Sequence, residues 1–197
     1  YARVRTHWEN KMAPLLYTME SSPPANAVRI LAEIIGLELE LKELDLMNLE
    51  HKTPQHLKRN PLGTVPTLED GDFVIAESHA TMKYLLSKYG GNKSESLYPS
   101  DVRTRALVDQ AIFFNVGVFF IRLKVIVVST RTQATLFGDL DGPTEKHKAD
   151  IDEAYGIVEA YLAGHHYIVG DHLTIADLSV GATALAMRHL HKLNPAK

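Results

Sequence analysis

Four short stretches of this 197-residue chain carry the residue types that could hold a small charged molecule. Glu77-Ser78-His79-Ala80 follows the apolar run Phe73-Val74-Ile75-Ala76 and opens a helical pattern. The first turn of a helix leaves backbone N–H groups free and suits a carboxylate, and an acidic side chain beside it suits an ammonium. Glu77 and Ser78 together therefore fit a group bearing both charges. Ser22 stands before Pro23-Pro24, a pair suited to the first helical turn, and taken alone it reads as the N-cap of that helix. In Asn60-Pro61-Leu62-Gly63-Thr64-Val65-Pro66, the two prolines fix φ and remove two donors, so the segment is no helix interior. His51 and His56 precede it. A lone histidine is more often structural or solvated than a ligand, and His56 reads as a solvated helix residue.

Other chemistries are excluded by composition. The chain has no cysteine, so disulfides, thiolate metal sites and an enzyme cysteine are all ruled out. His165-His166 and His189-x-His191 are one and two residues apart, which does not put them on one helix face, and no metal is expected. A net charge of -3 and a pI near 6.4 give no electrostatic case for nucleic acid or an anionic membrane. No run of about 18 uninterrupted apolar residues reads as a membrane span.

The elements that must position these groups follow from periodicity and punctuation. Leu15-Leu16-Tyr17-Thr18 is a short strand; after the turn Glu20 to Pro24, Val28, Leu31, Ala32 and Ile35 fall at helical spacing, and Gly36 ends the helix. Leu37 to Leu44 alternates as a half-buried strand, and Thr53 to about Arg59 is a short helix. Thr67-Leu68-Glu69 and Phe73-Val74-Ile75-Ala76 flank Asp70-Gly71-Asp72 as a hairpin. Ser78 is placed to N-cap a helix reaching about Tyr89, with Met82, Leu85, Leu86 and Tyr89 on one face. The order is β-α-β-α-β-β-α. Residues 92–100 form a linker, and helices are expected over 101–197 although Val116 to Ile121 and Val125 to Val128 favour strands on propensity. Pro143 opens a helix through Ile151, Ala154, Val158, Tyr161 and Leu162. Thr174-Ile175-Ala176-Asp177 is a capping-box-like start, a folding signal rather than chemistry. Residues 1–14 read as an N-terminal extension, expected to be disordered.

The combination of Ser22-Pro23-Pro24, the Thr64-Val65-Pro66 hairpin lead, Glu77-Ser78-His79-Ala80 and the box within Gly170 to Leu178 resembles the cytosolic glutathione transferases, the insect delta and epsilon classes in particular, with epsilon favoured. The resemblance covers nearly all of Leu15 to Lys197. It implies an α/β fold in two domains: a thioredoxin-like glutathione-binding domain over 15–91, joined by a linker over 92–100 to an all-α domain over 101–197 with the hydrophobic-substrate site. It also implies a cis Val65-Pro66 bond, with the Val65 backbone pairing with the cysteinyl part of glutathione. Glu77 and Ser78 would receive the γ-glutamyl end, His79 would lie beside its carboxylate, and His51 would meet the glycyl end. Ser22 would donate its O–H to the thiolate. A thiol of pKa about 8.5 is only a few per cent ionised at neutral pH, and one hydrogen bond to charged sulfur is worth roughly 1.5–3 kcal/mol, enough to lower that pKa by about one to two units. Phe119 and Phe120 would line the electrophile pocket.

The activity implied is conjugation of glutathione, the co-substrate, to hydrophobic electrophiles in detoxification of xenobiotics or insecticides, by a cytoplasmic homodimer that uses neither metal, nucleic acid nor membrane. A non-catalytic glutathione or lipophile carrier, or a specialised steroid- or pigment-processing member, is the alternative. There are departures from the family pattern. Leu62-Gly63 stands where many insect members have Gln-His, which removes one contact to the glycyl carboxylate. Ala25-Asn26 stands where an apolar residue and an arginine are common, and Ala111 where an arginine often sits. The chain also stops at Lys197, ahead of the last helix usual in the family, so the second-substrate site is expected to be more open.

Overall fold

A computed structural model of the chain describes residues 13–127 and 143–190. Most of the expected extension, residues 1–12, lies outside the described residues. Ala13 and Pro14 lead directly into the sheet, with the Pro14 carbonyl accepting from Glu40 N–H at 2.9 Å.

The first half is a four-stranded sheet with helices on it. Strand β1 (Leu15–Thr18) is followed by α1 (Pro23–Ile35), β2 (Glu40–Glu43), a 3-10 turn (Glu50–Lys52), α2 (Pro54–Leu57), β3 (Thr67–Asp70), β4 (Phe73–Ala76) and α3 (Ser78–Tyr89). The order across the sheet is β2-β1-β3-β4, with β1 parallel to β2 and antiparallel to β3. The expected β-α-β-α-β-β-α order is observed. Helix α1 ends at Gly36, whose φ of 75° carries the left-handed cap that a side chain would resist. Leu16, Leu31, Leu68, Met82 and Leu85 are fully buried between sheet and helices, each contributing about 1.5–3 kcal/mol.

Two local expectations are corrected. The alternating segment 37–44 forms strand only over Glu40–Glu43, and all four residues are exposed because β2 is an edge strand; Leu44, just beyond, is buried. The 92–100 segment contains a short helix, α4 (Lys93–Leu97), with Leu97 buried.

The second half is helical. Helix α5 (Val102–Phe114) passes through a π-helical turn (Asn115–Phe119) and continues, so the whole helix runs Val102–Val127. The strand-like runs over 116–127 are thus helical: tertiary packing of Val108, Ile112, Phe119, Leu123 and Ile126 overrides their β-propensity. By length and composition this helix would also pass as a membrane span, although no uninterrupted apolar run of that length exists; here its apolar side joins the core shared with α6 (Glu145–Leu162) and α7 (Ile175–Leu190). Helix α7 packs on both α1 and α5, joining the two halves. Its start carries the expected box, Asp177 accepting from Thr174 N–H at 2.8 Å and also from Ile168 N–H at 2.7 Å, which pins the preceding loop.

Candidate active site

The sheet register brings the chemistry-bearing stretches to one edge of the molecule. Thr18 pairs with Glu43, Tyr17 with Thr67, and Thr67 with Ala76. The ends of β1, β2 and β4 and the start of β3 therefore lie side by side. Ser22 follows β1, the His51 turn follows β2, Val65-Pro66 enters β3, and Glu77-Ser78 leaves β4. Four loops scattered over some 55 positions of sequence share one rim.

Ser22 is buried and caps α1: its Oγ accepts from Ala25 N–H at 3.4 Å. That bond uses a lone pair and leaves the hydroxyl proton free to donate outward. Ser21, its neighbour, is exposed. Tyr17, the other hydroxyl on this strand, is committed elsewhere, since its O–H donates to Glu69 at 3.1 Å; burial first and then Glu69 raise its pKa.

The proline loop is held from inside. The Val65-Pro66 bond is cis. The Thr64 carbonyl accepts from Asn60 Nδ2 at 3.1 Å and from Thr67 Oγ1 at 3.0 Å, and it lies 3.1 Å from His56 Nε2. Because a carbonyl can only accept, His56 carries its proton on Nε2. His56 is therefore not a solvated helix residue: it is 3% exposed, its ring stands edge-on to Tyr17 at 5.4 Å, and its Nδ1 is buried without a partner. The side chain faces inward from α2, a helix whose start Thr53 caps by accepting from the His56 N–H. Among the described residues, neither the N–H nor the C=O of Val65 has a protein partner.

His51 sits on the 3-10 turn against the same loop, where Lys52 Nζ donates to the Leu62 carbonyl at 2.7 Å. Burial, then Lys52 and His56, push the His51 pKa down, so its imidazole is neutral at neutral pH. Its Nδ1 is buried and unpartnered. Gly63 has φ of 55°, and a Cβ there would come within 2.7 Å of the His51 carbonyl and 2.8 Å of a Leu57 methyl. No side chain fits at position 63 without moving that turn.

At the fourth loop, Glu77 itself is the N-cap of α3 and Ser78 is the first helical residue, one position on from the expected cap. Glu77 is exposed and held at φ of 69°, a left-handed conformation that costs a side-chain-bearing residue of order 1–3 kcal/mol. Ser78 is buried. His79 turns away from the rim toward α7: its Nε2 lies 2.5 Å from Ser179 Oγ, which also accepts from Asn115 Nδ2 at 2.7 Å. Burial, then Lys83, lower the His79 pKa to about 4. A neutral ring fits this geometry: Ser179, while accepting from Asn115, still has its own O–H to donate to Nε2.

A helix N-terminus next to a carboxylate, an unpaired backbone edge and a serine hydroxyl on one rim form a cradle for a short zwitterionic peptide. Residues 12–87 match the family model for the N-terminal domain of glutathione S-transferases, and residues 131–196 match that for their C-terminal domain. The chain belongs to the glutathione S-transferase family. It is 40% identical over 172 residues to glutathione S-transferase D7 of Anopheles gambiae, covering 87% of this chain and 75% of that one. Among solved structures, an epsilon-class glutathione S-transferase from the housefly Musca domestica superposes with a TM-score of 0.84 at 35% identity, over 93% of this chain and 82% of that one. A glutathione transferase homolog from Drosophila mojavensis, solved with bound glutathione, gives 0.83 at 38% identity, over 93% and 81%. The insect delta/epsilon resemblance and the transferase fold are thereby established.

Within this glutathione S-transferase fold, Ser22, His51, Val65, Pro66, Glu77 and Ser78 gather at the common rim, while His79 starts there and points into the domain junction. Phe119, expected to line the electrophile pocket, lies inside the helical core. It is fully buried, stacked on Phe114 at 5.9 Å and edge-on to Tyr155 at 5.5 Å, because the π-helical turn rotates it into the helical core. Phe120, next along, is half-buried at the margin of the same core. Sequence reasoning missed His56, Asn115 and Ser179. For His56 the signal was its place two residues after a Thr-Pro helix start; for the other two, no local signal exists.

Proposed function

We propose that the chain is a glutathione transferase that joins the glutathione thiolate to hydrophobic electrophiles. The observation that carries this is the convergence of the α1 and α3 N-termini with the unpaired Val65 backbone on one rim. Ser22 donates its free hydroxyl proton to the thiolate and keeps the sulfur ionised. Val65 pairs with the cysteinyl backbone in the manner of an added strand. Glu77 takes the γ-glutamyl ammonium, the first-turn N–H groups and Ser78 take its carboxylate, and neutral His51 with Lys52 nearby takes the glycyl end. His79 acts from behind α3. Phe120 is the aromatic closest to the role of electrophile wall that two phenylalanines were expected to share. Catalysis is thiolate stabilisation plus proximity, with little proton transfer by the protein.

The same reading makes the protein a cytoplasmic homodimer of the detoxifying type, with residues 15–91 and 101–197 as its two domains. The exposed apolar residues Val102, Phe113 and Val116, on one side of α5, support a partner surface. Light scattering that returned a single 22.0 kDa species at micromolar concentration would remove the dimer. A non-catalytic carrier is the second reading, favoured by Gly63, where no side chain reaches the glycyl end. Calorimetric glutathione binding together with turnover of an aryl halide separates the two: binding and turnover support the transferase, and binding without turnover establishes the carrier.

A further inference from the structure

The structure assigns His56 a positioning role: through Thr64 it aims the backbone N–H of Val65 at the glutathione rim. The inference rests on the reading of that rim as a glutathione site. In a planar trans peptide, C=O and N–H point in opposite directions. The Thr64–Val65 peptide is trans, since the cis bond is the next one, and its carbonyl is drawn inward by donors from three places: His56 on α2, Asn60 after it and Thr67 on β3. Holding the carbonyl in turns the Val65 N–H out, where none of the described residues meets it. His56 is the donor whose presence fold stability does not explain. A buried polar group costs free energy unless it is paired, and half of this one, Nδ1, is not. An apolar ring would fill the place against Tyr17 and still leave the Thr64 carbonyl two donors. The imidazole is kept for a third hydrogen bond on the peptide that ligand must meet.

The test uses His56→Phe and His56→Gln in the full chain, Gln placing an amide N–H where Nε2 lies. His56→Phe is expected to raise KM for glutathione about three- to tenfold, the loss of one neutral hydrogen bond, with kcat at saturation within about twofold and with Tm equal or higher. His56→Gln is expected to stay within about twofold of wild type in KM. Hydrogen exchange at the Val65 amide in the glutathione-saturated protein, where the ligand protects it, should quicken in His56→Phe and not in His56→Gln. A folded His56→Phe with unchanged KM and unchanged Val65 exchange overturns the assignment, as does a His56→Gln that behaves like His56→Phe. Should His56→Phe fail to fold, the wild-type imidazole still decides: nitrogen NMR must find the Nε2–H tautomer, and an Nδ1–H ring ends the proposal. Wild-type protein that neither binds nor turns over glutathione sinks the function reading instead, while the tautomer measurement remains a test of His56.

Discussion

His79 and Ser179 are 100 positions apart in the chain and share a 2.5 Å hydrogen bond between Nε2 and Oγ. The pair ties the first turn of α3, which carries Ser78, to the helix that packs against both halves. Asn115, at the start of the π-helical turn, holds Ser179 from the other side. The rim is thus braced from behind by a three-residue polar bridge across the domain junction.

The burial of His79 at this bridge makes stability depend on pH. The His79 pKa is depressed from 6.5 to about 4 in the fold, so the unfolded chain binds the proton more readily between those values. The contribution of neutral His79 is complete above about pH 6.5 and is lost as pH falls toward 4. Urea unfolding should show wild type losing about 2–3 kcal/mol more than His79→Gln between neutral pH and pH 4, an order-of-magnitude figure. Parallel pH profiles for the two proteins would show that His79 does not titrate in this way.

Ser22→Ala should raise the pKa of bound glutathione and lower turnover roughly ten- to hundredfold, since the proposed donor to a charged sulfur is removed. The cap on α1 is lost with it. At 3.4 Å that bond is long, so the stability cost should sit near the low end of about 0.5–2 kcal/mol. Thiolate absorbance of the glutathione complex against pH is the measurement, with exposed Ser21→Ala as the silent control. A shift in Ser21→Ala rather than in Ser22→Ala would move the assignment by one residue.

Glu77 should show binding and stability pulling apart. Glu77→Ala and Glu77→Gly both remove the proposed ammonium partner and should raise the glutathione KM by similar factors, with smaller changes in kcat. Glycine alone relieves the φ of 69°, and no side-chain cap bond is lost at Glu77, so Glu77→Gly should melt a few degrees above Glu77→Ala. Equal melting temperatures would mean that the backbone relaxes in solution.

Asp70, at the far end of the hairpin from the rim, should affect stability alone. Its Oδ2 accepts from Lys88 Nζ, Tyr84 O–H and Tyr89 O–H, each at 2.7 Å. Burial pushes the carboxyl up, but the hydrogen bonds from Lys88, Tyr89 and Tyr84 outweigh it and hold the pKa below the ordinary carboxylate value. Asp70→Asn should cost about 1–3 kcal/mol with the glutathione KM unchanged within twofold. A large change in KM would contradict the separation of hairpin turn and rim.

What the sequence determined by itself was everything written in local chemistry. Prolines at 61 and 66, glycines at 36 and 71, the Thr174-x-x-Asp177 box and the two hydrophobic periods act within a few residues of themselves, and they placed the strands, the helix starts and the Val65 loop. The rim residues Ser22, Glu77 and Ser78 were legible for the same reason, because a helix N-terminus announces itself in sequence. Only the tertiary structure decided the rest. Phe119 and Phe120 are adjacent and chemically identical, and the π-helical turn sends one into the core. His51 and His56 are five residues apart, and only the inward-facing side of α2 makes the second a donor to Thr64. His79 was expected to face the ligand, and Ser179, a hundred residues on, holds it toward α7. Exposure of the whole of β2 follows from its place at the sheet edge rather than from its alternating leucines. For His79 the deciding partner is a hundred residues away, and in every case the energy of a buried contact depends on which side chains packing brings together, a quantity no local pattern carries.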